Sequence, residues 1–392
     1  MALTGAGPRP GHHPGADRGP RIDPDALRRV LLVRADNLGD TVMVTAALHA
    51  LRTRLPRARI DLLLSPAGAA AAPMLADVDA VFPISATWQQ LGPPPTHAAP
   101  QDRELVAHLR HRCYDAMIVC TSFSQSPWPV AQLGLLAGIP VRVVQSREFG
   151  GAAATHWVTP PPEGTHQVDR DLHLLAAVGL ADPAAPARTR LAVPPAAHEA
   201  AAALAPERYA LLAPGASCPA RRYRADRFAQ VAAAVAGAGL PVRVSGSRAE
   251  QDLVAEVVAA AGPGVAAVPP VGVPEFAALV ARAAVAITNN SAGMHVADAT
   301  GTPVVVTHGG TERLTDMAPR GVPAVLLRVP TSCSPCRQLQ CPYSHECLDL
   351  PPARVAEAAV ALAEAGAGLP EDPWWTENSL VNTVTTSPVP AA

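Results

Sequence analysis

Apolar and polar positions vary along the chain on two length scales. Short, continuous apolar runs occur at 28–34 (RRVLLVR), 59–65 (RIDLLLS), 80–84 (AVFPI), 116–121 (AMIVCT) and 141–145 (VRVVQ). A strand apolar at nearly every position is buried on both faces. Longer Ala/Leu-rich segments near 41–54, 66–76, 103–112 and 128–138 lie between these runs and predict helices. Continuous apolar strands separated by helices predict a parallel sheet covered on both sides. At 181–197 (ADPAAPARTRLAVPPAA) proline density breaks regular structure. The alternation then restarts, with strands at 209–213 (YALLA), 241–245 (PVRVS), 284–288 (AVAIT), 303–307 (PVVVT) and 324–329 (AVLLRV). Helices are expected near 226–238, 248–261, 274–283, 293–300 and 352–365.

The pattern predicts an α/β protein of two tandem Rossmann-like domains with parallel sheets facing a central cleft. The expected boundaries are a disordered arm over 1–26, a first domain over 27–180 and a linker over 181–204. A second domain covers 205–350, a C-terminal helix 351–368 and a flexible tail 369–392. Ligands of doubly wound sheets bind beyond the C-terminal ends of the strands, so the cleft is the expected site.

Composition narrows the function. The 392 residues are 49% hydrophobic, enough for two cores. A net charge of -2 lacks the basic excess of a nucleic-acid binder. No apolar stretch has the length of a membrane span, and the N-terminus lacks the apolar core of a signal peptide. The expected location is cytoplasmic, which is compatible with peripheral membrane contact. Every one of the 31 basic residues is arginine, a bias that weakens any argument from one arginine alone. Seven cysteines in so long a chain do not make a disulfide scaffold.

Four stretches carry candidate chemistry. In RADNLGDT, Asp36, Gly39 and Asp40 follow the first strand and open the first helix. A carboxylate there can cap the helix. At a cleft edge it can also remove a proton from a hydroxyl. In APGASCPARRYRADRF, small residues and Ser217 precede Arg221 and Arg222, suited to a phosphate or to a solvated basic loop. In ITNNSAGMHVADA, Asn290, Ser291, Ala292, Gly293, Met294 and His295 lead from a strand into a helix, whose amino end attracts anions. His295 is equally a candidate structural histidine. Cys333, Cys336, Cys341 and Cys347 cluster in a Pro-containing loop, open to metal binding, free thiols or a local disulfide.

Other motifs are missing. No G-x-G-x-x-G follows the first strand and no G-x-x-x-x-G-K-[ST] occurs, which argues against dehydrogenases and P-loop kinases. No D-x-D pair ends a strand, so a leaving diphosphate would be met by arginine and helix dipoles.

Taken together, the chain resembles glycosyltransferase family 9, the heptosyltransferase family, over about residues 28–365. LLVRADNLGDTVMVTAALHALRTRLPRARIDLLL resembles its opening strand, R-x-D-x-x-G-D loop and helix. PGASCPARRYRADRFAQV resembles its phosphate loop, with Arg221 where lysine is usual. ITNNSAGMHVADATGTPVVV resembles its D-S/T-G-x-x-H-x-A loop, with Asn290 for the usual Asp and Ala292 for the usual Gly. The cysteine loop and LPPARVAEAAVAL resemble its C-terminal segment.

The resemblance implies a GT-B fold and metal-independent, inverting transfer of a sugar, with a heptose among the candidates. The donor is a nucleotide diphosphate sugar bound by the second domain. The acceptor is a hydroxyl on a glycan, a lipid-linked glycan or a small molecule, bound by the first. Asp40 matches the base, and Ser217, Arg221, Arg222 and residues 290–295 match the donor site. Asp36 and Gly39 are left to shape the loop or touch the acceptor. The resemblance also implies that the last helix packs back toward the first domain, and it implies no cofactor and no metal ligand. The rival functions are a nucleotide-sugar epimerase of the same fold and a degenerate homologue that binds a nucleotide sugar without turnover.

Overall fold

The computed structural model describes residues 19–89, 98–122 and 125–365, and the backbone of 382–386. Six parallel strands form the first sheet: β1 (Arg29–Arg34), β2 (Arg59–Leu64), β3 (Ala80–Pro83), β4 (Ala116–Val119), β5 (Val141–Gln145) and β6 (His156–Val158). Their order is β3-β2-β1-β4-β5-β6. The second sheet contains β7 (Ala210–Ala213), β8 (Val242–Val244), β9 (Val265–Ala267), β10 (Val285–Asn289), β11 (Val304–Thr307) and β12 (Ala324–Arg328). Its parallel strands run β9-β8-β7-β10-β11-β12, the same order as in the first sheet, and β13 (Asn382–Thr386) adds an antiparallel edge.

The apolar runs explain both sheets. Val30, Leu31, Leu32 and Val33 of β1 are all buried, in two cores on opposite faces of the sheet. The second sheet is likewise enclosed on both faces. One of its cores takes in Val42, Ala71 and Met74 of the first domain. Helix Leu38–Arg54 packs against helices Gln167–Ala177 and Ala292–Thr300, so it is apolar nearly all round.

Polar contacts also join the domains. Arg320 donates to both oxygens of Asp169 at 2.7 and 2.9 Å. His166 Nε2 lies 3.0 Å from the Ala318 carbonyl, while its Nδ1 accepts the Val168 amide at 3.2 Å. Those partners fix the neutral Nε2–H tautomer. Burial pushes this imidazole down to about 4.

Four expectations change. Residues 1–18 of the expected arm lie outside the described residues, but the chain is docked from Pro20 on. Ile22 and Leu27 supply apolar anchors in the first core. The expected linker is partly helical: Pro195–Leu204 packs on Val273–Arg282 of the second domain. Proline in a first helical turn loses only an amide that has no partner there. Helix Pro352–Ala365 packs on helix Ala225–Gly237 and on β10 and β11, not toward the first domain, because Val355, Ala359 and Leu362 complete a core of the second sheet. Most of the expected tail lies outside the described residues, and the part that is described forms β13.

Candidate active site

In each sheet the chain reverses its direction of winding between two central strands: β1 and β4 in the first, β7 and β10 in the second. Such switch points open a crevice at the strand C-termini. The two crevices face each other across a cleft of about 1200 Å³. A second hollow of about 170 Å³ lies among Arg29, Arg59, Asp61 and Arg112, at the other ends of β1 and β2, and is small for a nucleotide.

The first wall is organised by Arg34, the last residue of β1, which is fully buried. Its Nε pairs with Asp36 at 2.9 Å, Nη2 with Asp40 at 3.0 Å and Nη1 with Asp171 at 3.4 Å. Ser122, just past β4, has its hydroxyl 3.2 Å from both Asp36 Oδ2 and Asp40 Oδ1. One hydroxyl proton serves one of these carboxylates at a time. Gln89 Nε2 donates to Asp36 Oδ1 at 3.1 Å, and Gln167 Nε2 to Asp171 Oδ1 at 2.9 Å.

The three carboxylates differ in access. Asp40 keeps 14% of its side chain exposed, against 2% for Asp36 and 4% for Asp171. Of the three, Asp40 is therefore the one best able to meet a substrate. The helix begins at Leu38, which puts Asp40 in its first turn, where Oδ2 accepts the Asn37 amide at 3.1 Å. Capping and access to the cleft thus coexist, and the capped amide precedes Asp40 instead of following it. Burial pushes Asp171 up to about 6 and raises Asp36 as well, more than Arg34 can offset. Burial opposes the charge on Arg34, but Asp36, Asp171 and Asp40 more than compensate.

The second wall comes from the loops after β7, β8, β10 and β11. Arg221 lines the cleft, donates through Nε to Thr311 at 3.1 Å and pairs with Glu312. Its Nη1 reaches Ser217 Oγ at 3.4 Å. Asn290 donates to Glu312 Oε2 at 2.9 Å and accepts the Gly309 amide at 2.9 Å. Asn289 holds the loops together, accepting from Tyr223 N and Thr307 Oγ1 and donating to the Pro214 carbonyl. Ser291 stands at the N-cap position of helix Ala292–Thr300 without a side-chain capping bond, and Ala292 and Gly293 face the cleft at the helix's amino end. His295 also lines the cleft, and burial pushes it down to about 4, so it is neutral near pH 7.

The remaining sequence candidates divide. Asp36, Gly39 and Ser217 are on the cleft. Arg222 folds back onto the Ala216 carbonyl at 3.0 Å, and Met294 is buried in a core of the second domain. Sequence reasoning missed Gln89, Ser122, Ser247, Glu250 and Glu312, all on the cleft, and Asp171 behind it. Ser122 and Ser247 carry one signal, a position just past a strand, whereas Asp171 lies inside helix Gln167–Ala177 and has none. All four loop cysteines are free, and Cys347 Sγ accepts the Gly310 amide at 3.2 Å. Among the described residues, no group of three or more His, Cys, Asp or Glu side chains is arranged to hold a metal ion.

The profile of glycosyltransferase family 9 (heptosyltransferase) matches residues 103–346. The chain belongs to glycosyltransferase family 9. Solved structures share its fold. E. coli ADP-heptose lps heptosyltransferase II superposes with a TM-score of 0.70 at 23% identity, covering 86% of this chain and 98% of that one. A family 9 glycosyl transferase from Veillonella parvula gives 0.70 at 18% identity, over 88% and 99%. E. coli heptosyltransferase WaaC with ADP gives 0.61 at 16% identity, over 86% and 99%. No curated protein is similar enough in sequence to match. This family 9 member is a glycosyltransferase with the GT-B arrangement of two α/β domains about a cleft. None of its described helices is long and apolar enough to cross a membrane.

Proposed function

We propose that the protein transfers a sugar, with inversion, from a nucleotide diphosphate sugar to an acceptor hydroxyl, with Asp40 as general base. The observation that carries this reading is the opposition of Asp40 on one wall to Arg221 and the amino end of helix Ala292–Thr300 on the other. An acceptor oxygen at Asp40 would approach the anomeric carbon from the first domain, and its proton would pass to the carboxylate. The bond to the diphosphate would break on the opposite face, which inverts the centre. Charge developing on the leaving diphosphate would fall on Arg221 and the helix amides. Those groups support catalysis without a metal ion. Glu250, which lies against Gly215, and Ser247 both line the cleft and are suited to hydrogen-bond the hydroxyls of the nucleoside ribose.

Acceptors that fit the open cleft are a glycan, a lipid-linked glycan or a small molecule. ADP-heptose is the first donor to try, followed by GDP- and UDP-sugars. The test is release of nucleoside diphosphate from each donor, with and without acceptor. Release that depends on acceptor supports transfer. Isomerised donor formed with no acceptor would mark an epimerase instead, and tight nucleotide binding with no turnover of any donor would mark a binding protein.

A further inference from the structure

Glu312 is an acid in a place that should repel anions. It is 6% exposed and lines the cleft beside the residue proposed to hold the diphosphate. Three donors fix its carboxylate. Arg221 Nη2 pairs with Oε1, and Asn290 Nδ2 and Thr311 Oγ1 both reach Oε2. The Asn290 amide cannot turn over freely, because its Oδ1 accepts the Gly309 amide. An aspartate at 290 would set two carboxylates about one hydrogen bond apart. Asn290 and Glu312 are therefore a matched pair: the negative charge stands at 312, and the amide at 290 orients it.

This pair leaves Arg221 with one guanidinium edge committed. Nε and Nη2 are taken by Thr311 and Glu312, while Nη1 has, among the described residues, the long contact to Ser217. A phosphate would engage that freer edge, with Glu312 fixed on the neighbouring nitrogen. The donor and the product differ in charge at this point. The distal phosphate of a nucleotide sugar is a diester with one negative charge. In the free nucleoside diphosphate it is a monoester, whose second ionisation lies near pH ~6. A buried carboxylate a few ångströms away penalises that extra charge, because the field is poorly screened inside the cleft.

We propose that Glu312 is a specificity-determining residue that makes the site favour the sugar-bearing diphosphate over the free nucleoside diphosphate, and so promotes product release. This rests on the donor-site assignment above. ADP, GDP and UDP, with ADP-glucose, GDP-mannose and UDP-glucose, are the probes, titrated by calorimetry into the full-length chain at pH 8. Glu312→Gln should tighten the nucleoside diphosphate about tenfold while shifting the nucleotide sugar far less. Asn290→Asp should weaken the diphosphate selectively, and Asn290→Asp with Glu312→Gln should return its affinity toward wild type. Thermal melts identify a variant that fails to fold, and either single variant suffices for the comparison. Equal weakening of both ligand classes by Glu312→Gln, or an unchanged ratio in both single variants, overturns the inference and leaves the donor site standing. If the wild type binds none of the six probes, the donor-site assignment falls, and this inference falls with it.

Discussion

Gly39 and His295 belong to different domains and meet across the cleft: a Cβ built on Gly39 would stand 2.7 Å from His295 Cδ2. Both residues lie in the first turns of helices, so the contact sets how closely the two helix starts approach. Alanine is favoured over glycine within a helix by about 1 kcal/mol. The clash with the buried His295 ring outweighs that gain, so Gly39→Ala should lower thermal stability modestly, while separating the walls and lowering kcat/KM by about tenfold or more. Melting curves beside steady-state rates check this. Wild-type turnover in the alanine variant would mean that the contact is not kept in the working enzyme.

Asp40→Asn keeps the size of the side chain and removes the base. Transfer should fall by about 10² to 10⁴, with nucleotide-sugar affinity within a few-fold of wild type. The checks are single-turnover rates and a binding titration. Turnover close to wild type would remove Asp40 from the mechanism.

Arg34→Met tests the buried hub. It would leave Asp36, Asp40 and Asp171 facing one another without their shared cation. Removing one partner of a buried ion pair costs about 3–5 kcal/mol. Denaturant unfolding should show a loss of that order, together with loss of transfer. A change below about 1 kcal/mol would place these groups in a far wetter environment.

Asp171 predicts a pH dependence. Burial raises it from 3.8 to about 6 in the folded protein. A raised acid favours the folded state below its unfolded value and loses that contribution as pH rises through the folded one. Relative to Asp171→Asn, the wild type should lose on the order of 2–3 kcal/mol between about pH 4 and 7. His166 and His295 act in the opposite direction, being lowered from 6.5 to about 4 by burial. Their contribution is present above pH 6.5 and is lost as pH falls through about 4. Unfolding of both proteins over this range separates the two effects.

A chelator provides a fifth contrast. If arginine and helix amides receive the leaving diphosphate, EDTA should leave the transfer rate unchanged within error, whereas Arg221→Ala should lower it by about a hundredfold. A rate abolished by EDTA and restored by a divalent cation would contradict the metal-independent mechanism.

Much of this architecture can be read from the chain, for a physical reason. Strands buried on both faces are apolar throughout, so β1, β2, β10 and β11 stand out of the sequence within a residue or two. Strands β6 (HWV) and β9 (VAA) have three residues each and make no β-branched run, so they are not expected, whereas the equally short β8 lies in PVRVS and is. Helix Gln167–Ala177 follows a Pro-rich stretch and also escaped, and Asp171 with it. At the site, Asp40 and Arg221 come from motifs with a regular spacing. Ser122 and Glu312 do not: their importance comes from Arg34 and Arg221, each distant in sequence, and no local pattern encodes that. Arg222 and Met294 show the converse, since a motif position facing away from the cleft reads like its neighbours.

The last helix has a wider consequence. Because Pro352–Ala365 stays on the second sheet, the described chain passes from one half of the molecule to the other once, ahead of Pro195. Among the described residues, neither half is threaded through its partner. On the proposed division of labour, what is glycosylated and what supplies the sugar are written in two consecutive blocks of sequence. Recombination at that single crossing exchanges one block whole, provided the contacts shared across the boundary, such as Val42 and Met74 in the second core and Asp169 with Arg320, are kept.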